Sequence, residues 1–495
     1  MTAKRVGALI VGTGFAGLGM AIRFKQAGVD DFTVLERASE VGGTWRDNTY
    51  PGCTCDVPSN LYSFSFAPKA DWSCTYPSQP EIWEYLRGCA QRFGVIPHIA
   101  FNSELTEAQW DSENAVWRVR STSDEYEARF LILGAGPLSA PKLPDIAGIE
   151  RFRGTMFHSA QWRHDHDLRG ERVAVAGTGA SAIQFIPEIQ PHVAQLDVYQ
   201  RTPPWVLPHP NRDLTSLEQW LARKLPLTLK LRRAGIYLGR EMLVLGFSVD
   251  PRLTSLVERL ARRHLAEQVR DAELRDKLTP HYRLGCKRIL ISNTYYPALT
   301  QPNVSVIPHG MREIREHSVV AADGVERPAD TIIFGTGFHV TDQPVADAVR
   351  GAQGASLAET WQGSPQAYLG TSVSGFPNMF FLTGPNTGLG HTSLVYMIES
   401  QIEYVMDCLR GMQRARAAVL DVKPDVQAAF NRAVQQRMQR TVWVTGGCAS
   451  WYIDAKGRNT TLWPSFTFAF RRRANRFDPA AYTMQPASQP IAAAA

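Results

Sequence analysis

Two glycine-rich turns of the same design carry the clearest chemistry in this chain. The first reads GTGFAG, with Gly12, Gly14 and Gly17; the second reads GTGASA, with Gly177, Gly179 and Ala182 in the third place. Each follows a short apolar run, residues 6–11 and 173–176, and opens a helix-like segment. That is the setting in which a helix start and its free backbone N–H groups hold a dinucleotide pyrophosphate. Two such sites in one chain, 165 residues apart, describe a redox relay in which one nucleotide cofactor reduces the other.

The residue closing the second strand of each unit sets the cofactor. Residues 32–35 read as a strand ending at Glu36, 24 positions past Gly12, where a carboxylate accepts hydrogen bonds from a ribose 2′-hydroxyl. Residues 196–199 end instead in Gln200-Arg201-Thr202, with Arg201 again 24 positions past the first glycine. A guanidinium there pairs with a 2′-phosphate. The expectation is FAD at the first site and NADPH at the second.

Three further stretches carry reactive residue types. The loop GGTWRDNTYPGCTCD, residues 42–56, is too rich in Gly, Pro and Asn for a helix or strand. Disulfide reductases of similar layout carry a redox cysteine soon after a comparable Gly-Gly-Thr. Here Trp45 takes that place, which packs against a flavin but does no thiol chemistry. Asp56, taken singly, is a solvated carboxylate more often than a catalytic one. In YRLGCKRILI, Lys287 and Arg288 bring two cations into an apolar setting, although a lone basic pair is usually just exposed. Between the turns, FRGTMFHSAQW (residues 152–162) sets how the halves meet.

A chain of 495 residues has room for two or three domains, and 44% hydrophobic with 20% charged residues is ordinary for a globular enzyme. Part of the net charge of +6 lies in Arg223, Lys224, Lys230, Arg232, Arg233 and Arg240. These read as a solvated helix face rather than a membrane or nucleic-acid surface. The seven cysteines lack metal-ligand spacing, so no metal is expected and all read as reduced thiols in the cytoplasm. The N-terminus runs straight into a strand, and no apolar run reaches membrane-spanning length, which reads as a soluble protein.

Along the chain, residues 80–91 read as a helix, 117–120 as a strand of a small sheet and 130–133 as a buried strand ending in Gly134-Ala135-Gly136. Residues 331–338 mirror that ending. Residues 376–384 read as one more buried strand, leading to a helix near 394–408. The fold class is α/β, with two Rossmann-like dinucleotide-binding domains and a helical insertion. The expected boundaries are 1–145 for the FAD domain, completed by 376–475, and 150–210 with 281–375 for the NADP domain. Residues 211–280 form a helical insertion without catalytic signal, and 476–495 a disordered tail.

At this point the residues resemble a family, the type I Baeyer–Villiger monooxygenases within the flavin-dependent NADPH monooxygenases. The family's linker pattern, Phe-x-Gly-x3-His-x3-Trp followed by Pro or Asp, is met by Phe152, Gly154, His158 and Trp162, and departs only at Arg163. A second pattern, Gly-x-Trp-x4-(Phe/Tyr)-Pro-Gly-x3-Asp, is met by Gly43, Trp45, Tyr50, Pro51, Gly52 and Asp56. The resemblance implies FAD contacts at Gly12, Gly14, Phe15, Gly17, Glu36, Gly43, Thr44, Trp45, Asp56 and Tyr62. It implies NADPH contacts at Gly177, Thr178, Gly179, Ser181, Arg201, Thr202 and Lys287, and puts Arg288 on the active-site arginine.

The implied reaction is transfer of one oxygen atom of O2, through a flavin peroxide, next to a ketone carbonyl to give an ester or lactone. Arg288 would stabilise the oxyanions and Asp56 would orient Arg288. At ~4 Å and an effective dielectric near 20 such a cation contributes about 4 kcal/mol. The alternative is a flavin monooxygenase that oxidises amines or sulfides. A disulfide reductase-like enzyme lacks its cysteine, and a non-catalytic flavoprotein would not need Asp56, Lys287 and Arg288 together.

Overall fold

The computed structural model describes residues 3–486. Two parallel sheets, each opened by one of the glycine turns, form its frame. In the first, β1 (Lys4–Val11) runs into α1 (Phe15–Gln26) and β2 (Phe32–Leu35). A long loop bearing the short helix α2 (Thr44–Asp47) and α3 (Gln79–Arg92) then leads to β3 (Ile99–Ala100). The strands β4 (Leu105–Asp111), β5 (Val116–Ser121) and β6 (Glu125–Leu133) follow. β1 lies between parallel β2 and β6, while β4 and β5 add an antiparallel meander. Ala8 to Val11 are apolar without alternation because helices cover one face of this sheet and a Trp110–Trp117 layer the other.

The second sheet starts with β7 (Thr155–His158), β8 (Arg172–Ala176), α4 (Ala182–Ile189) and β9 (Gln195–Tyr199). After the short β10 (Val206–Leu207) comes the insertion, with α5 (Ser216–Lys224), α6 (Pro226–Glu241), α7 (Ser255–Gln268) and α8 (Ala272–Lys277). The chain returns through β11 (Leu290–Ile291), β12 (Val304–Ile307) and a meander of β13 (Met311–Arg315), β14 (Ser318–Ala321) and β15 (Glu326–Pro328). It closes with β16 (Thr331–Phe334), giving the order β12-β9-β8-β16-β7. The connecting motif is thus itself an edge strand, with His158 paired in register to Phe334.

At β17 (Val349–Arg350), which pairs with β4, the chain has already crossed back to the first unit, earlier than the expected boundary at 375. There β18 (Met379–Phe381), shorter than the expected 376–384, pairs with β6. The helix Leu394–Ala415 then packs on α1, running seven residues past the expected end because Met412 is still buried. The expectation of a disordered tail from 476 needs correction. β20 (Tyr482–Pro486) pairs with β19 (Ala417–Val422), and the Tyr482 hydroxyl lies 2.9 Å from Ser372 and 2.8 Å from Tyr404. Phe477 and Tyr482 anchor this segment in the core, which a reading of its Pro/Ala/Gln content overlooks. Residues 487–495 of that tail lie outside the described residues.

Candidate active site

The two glycine turns have matching geometry. Gly12 has φ +92°, and a Cβ there would stand 2.9 Å from the carbonyl oxygen of Gly134. Gly177 has φ +103°, and its Cβ would stand 2.6 Å from that of Gly335. In both units the turn closes on the glycine ending a neighbouring strand, so any side chain would push the two apart. Phe15 starts α1 and packs edge-on against Tyr62, with centroids 5.1 Å apart. Gly43 lies against the Gly14 backbone, which folds the 42–56 loop onto the first turn. Trp45 donates its Nε1–H to the Tyr62 hydroxyl at 3.0 Å and packs against the cores of both units. The same loop docks on α4, where Gln184 accepts from the Tyr50 hydroxyl at 3.0 Å and holds Thr54.

Glu36 is buried and accepts from the Thr13 and Ala38 backbone N–H groups at 3.1 and 2.9 Å. Its other partners are the Thr13 hydroxyl and the Arg46 guanidinium, at 2.7 Å for the latter. A ribose donating to Glu36 takes the place of one of these two side chains, since the backbone donors are fixed. At the second site, Arg201 stands near Lys287, whose ammonium is lowered from its usual range by burial and by Arg201's charge. Among the described residues neither cation has a carboxylate within ion-pair distance. Two like charges without a counter-anion make a site for a phosphate.

Asp56 and Arg288, 232 positions apart, form a two-pronged ion pair. Nε and Nη2 of Arg288 donate to the carboxylate at 2.6 and 2.5 Å, while Nη1 reaches only the Leu389 carbonyl, at 3.5 Å. Burial pushes the Asp56 carboxyl up, but the charge and hydrogen bonds of Arg288 outweigh it and hold the group below the usual carboxylate range. The nearby carboxylate raises Arg288 above its ordinary value against the effect of burial. Each side chain keeps a quarter to a third of its surface open, 25% and 31%.

Several residues of the site gave no legible signal. Tyr452 is fully buried with an unpaired hydroxyl; burial pushes it up to about 12, and its titration feels both Arg288 and Asp56. Arg240, on α6, donates to the Tyr76 hydroxyl at 3.1 Å and adds positive charge near Asp56, while Arg233 holds the Asn60 and Ser63 carbonyls at 2.9 Å. The basic stretch is therefore not simply a solvated face, and the insertion does contribute to the site. Glu241 pairs with buried His391 at 3.2 Å and accepts from the Thr467 hydroxyl at 2.6 Å.

The expectation of seven reduced cysteines also needs correction. Cys286 and Cys448, 162 positions apart in the chain, form a disulfide with Cα atoms 6.1 Å apart. A separation of that length has no sequence signature. The other five are free; burial pushes the Cys53 thiol up to about 12 and raises Cys55 well above its usual range, so neither offers a thiolate for redox work.

The linker residues stand apart from the Asp56–Arg288 pair, with no hydrogen bond to either. Trp162 packs on Phe157 and Phe185, and Phe152 is buried beneath the β13–β15 meander. Gly154 leaves no room for a Cβ beside the Asp330 carbonyl. His158 accepts from Ala160 N–H through Nδ1 at 3.1 Å, and burial lowers it to about 4, so the ring is neutral at physiological pH. Arg163, where the pattern departs, is half exposed and pairs with Asp165 at 2.7 Å.

FAD fits a cleft at the end of β18 in the first unit. It is bordered by Pro137, Gly384, Pro385, Thr387 and Gly388. Close to it are buried polar atoms without partners, on Asn386, Thr392, Asn459, Thr460 and Thr461. Such orphaned groups are costly unless a polar ligand meets them.

Comparison with known proteins agrees. The pyridine nucleotide-disulphide oxidoreductase family profile matches residues 9–230. A Baeyer-Villiger monooxygenase of Streptomyces coelicolor is 50% identical over 494 residues, 99% of this chain and 95% of that one. A Baeyer-Villiger monooxygenase of Pseudomonas aeruginosa is 50% identical over 98% of this chain and 92% of its own. The chain belongs to the Baeyer–Villiger monooxygenases. A crystal structure of OTEMO in complex with FAD and NADP has a TM-score of 0.88 and 25% identity, covering 98% of this chain and 100% of that one. As a Baeyer–Villiger monooxygenase, the protein is an FAD-dependent oxidoreductase that consumes NADPH and O2.

Proposed function

We propose that the site built on Asp56 and Arg288 converts a ketone to an ester or lactone. In this reading the first unit, 1–145 completed by 376–475, holds FAD, and the second, 150–210 with 281–375, holds NADPH. FAD reduced by NADPH supplies the activated oxygen. The chain's own task is to bind, orient and meet charge, and the two-pronged Asp56–Arg288 pair carries the argument. Two parallel hydrogen bonds lock the guanidinium plane. Nη1 is left as a weakly engaged donor, and the guanidinium keeps its proton at any working pH. A fixed donor of this kind stabilises negative charge as it develops on the reacting oxygens.

The other roles follow from position. Arg201 and Lys287, with Thr202, take the 2′-phosphate of NADPH, and Gly177, Thr178, Gly179 and Ser181 its pyrophosphate. Gly12, Gly14, Gly17 and Glu36 hold the FAD adenosine side, while Thr44, Trp45 and Tyr62 pack against its ring. His158 has a structural part in the linker strand. The substrate is a small ketone with O2, without nucleic acid, and the enzyme works in the cytoplasm. The Cys286 half of the disulfide is 0% exposed and the Cys448 half partly buried, which limits access of the thiol pool there.

The test is a panel of linear, cyclic and aryl ketones, each with NADPH and air, analysed for ester by mass spectrometry beside matched thioethers. Ester from at least one ketone class is expected. Sulfoxide formation with no ester from any ketone would overturn the reading.

A further inference from the structure

The helix α6 is turned inside out. Its cations Arg233 and Arg240 and its Tyr237 point inward, to the Asn60 and Ser63 carbonyls, the Tyr76 hydroxyl and the Thr467 hydroxyl. Three of its four leucines, and Met242 just past its end, point outward. Leu227, Leu231, Leu238 and Met242 are 64%, 65%, 62% and 60% exposed. At 100° per residue these four and the exposed Ala234 and Gly235 fall within about one third of the helix circumference. The stripe continues onto α5 through Trp220 at 53%, and Val249, Leu253, Leu256 and Leu260 repeat the same spacing beyond it. Of the eighteen large hydrophobic side chains exposed among the described residues, eleven lie between Leu217 and Leu260. Scattered exposed leucines need no explanation, but a continuous apolar stripe does.

The charge around the stripe selects its occupant. Between positions 217 and 260 the exposed ionised side chains are Arg223, Lys224, Lys230, Arg252 and Arg259, against the single acid Asp250. A twofold contact between copies would set these cations against their own images, which disfavours a dimer through this face. An apolar stripe 16 residues long with a cationic rim instead matches an anionic phospholipid surface. We propose that the α5–α6 face is a monotopic docking surface for an anionic phospholipid bilayer. Leu227, Leu231, Leu238 and Met242 enter the headgroup–acyl boundary, and Lys224 and Lys230 engage the lipid phosphates. No helix among the described residues is long and apolar enough to cross a membrane, so the contact is peripheral. Because the opposite face of α6 reaches Asp56 and Tyr76, docking brings the site close to the lipid.

The test is flotation of the FAD-loaded full chain with vesicles of phosphatidylcholine, with and without phosphatidylglycerol, at low and high salt. Wild type is expected to float with the anionic vesicles. The Leu231→Glu, Leu238→Glu double variant should do so roughly tenfold less or weaker still, with flavin content and turnover of a water-soluble ketone unchanged. Lys224→Glu, Lys230→Glu should abolish the preference for anionic over neutral vesicles. No flotation of wild type, or equal flotation of the leucine variant, would overturn the proposal. So would a dimer in solution, by light scattering, that the leucine variant converts to monomer.

Discussion

Cys286 is bonded to Cys448, two residues before Arg288 on one side and four before Tyr452 on the other. The bond ties the turn carrying the fixed cation, just before β11, to the loop carrying the unpaired phenol. Alkylation of the denatured protein should label five cysteines before reduction and seven after it. Cys448→Ser should lower thermal stability, by an amount of order 2–4 kcal/mol, the usual range for a disulfide. It should also cut ester formation by up to roughly tenfold, because small displacements of a positioned group are costly. Seven labelled cysteines in the unreduced protein would show that the bond does not form.

Arg288→Ala should keep FAD and fold while losing ester formation by about 100-fold or more, the usual scale for removing a fixed oxyanion donor. The NADPH still consumed should be matched by hydrogen peroxide release, and sulfide oxidation should fall less. Asp56→Asn should reduce ester formation by a smaller factor, since the cation stays but loses its orienting charge. Near wild-type ester formation by Arg288→Ala would mean that the charge is met elsewhere.

Arg201→Ala should weaken NADPH use by on the order of tenfold and leave NADH use little changed, the loss of one charge-assisted phosphate contact. Lys287, released from a like charge, should titrate higher in that variant. Equal loss with both coenzymes would mark Arg201 as structural.

His158, lowered to about 4 by burial, makes stability depend on pH. The unfolded chain binds this proton near the ordinary value of about 6.5 and the folded chain does not. The contribution is therefore complete above that value and is lost as pH falls from there toward 4. His158→Asn keeps an acceptor for Ala160 N–H without a titrating ring. Wild type should lose about 2 kcal/mol more than the variant between pH 7 and 5 in urea unfolding. Parallel curves for the two proteins would show that the ring titrates alike in the folded and unfolded states.

What the sequence determined by itself is local. A glycine turn, its preceding strand and the residue 24 positions on lie within one βαβ segment, where backbone sterics and chain continuity leave few alternatives. Both nucleotide units were therefore legible, as were Trp45 in place of a reactive cysteine and the family patterns around His158 and Asp56. Asp56 and Arg288 were each readable only as an ordinary exposed charge until the family patterns named them. What the tertiary structure decided was every meeting across long chain separations: Asp56 with Arg288, Cys286 with Cys448, and Tyr452 beside both charges. It also decided which way α6 faces. Period and composition mark a leucine stripe and a cationic stripe on that helix, but only the surfaces packed against it fix which one is buried, because the carbonyls of Asn60 and Ser63 and the hydroxyl of Tyr76 demand donors.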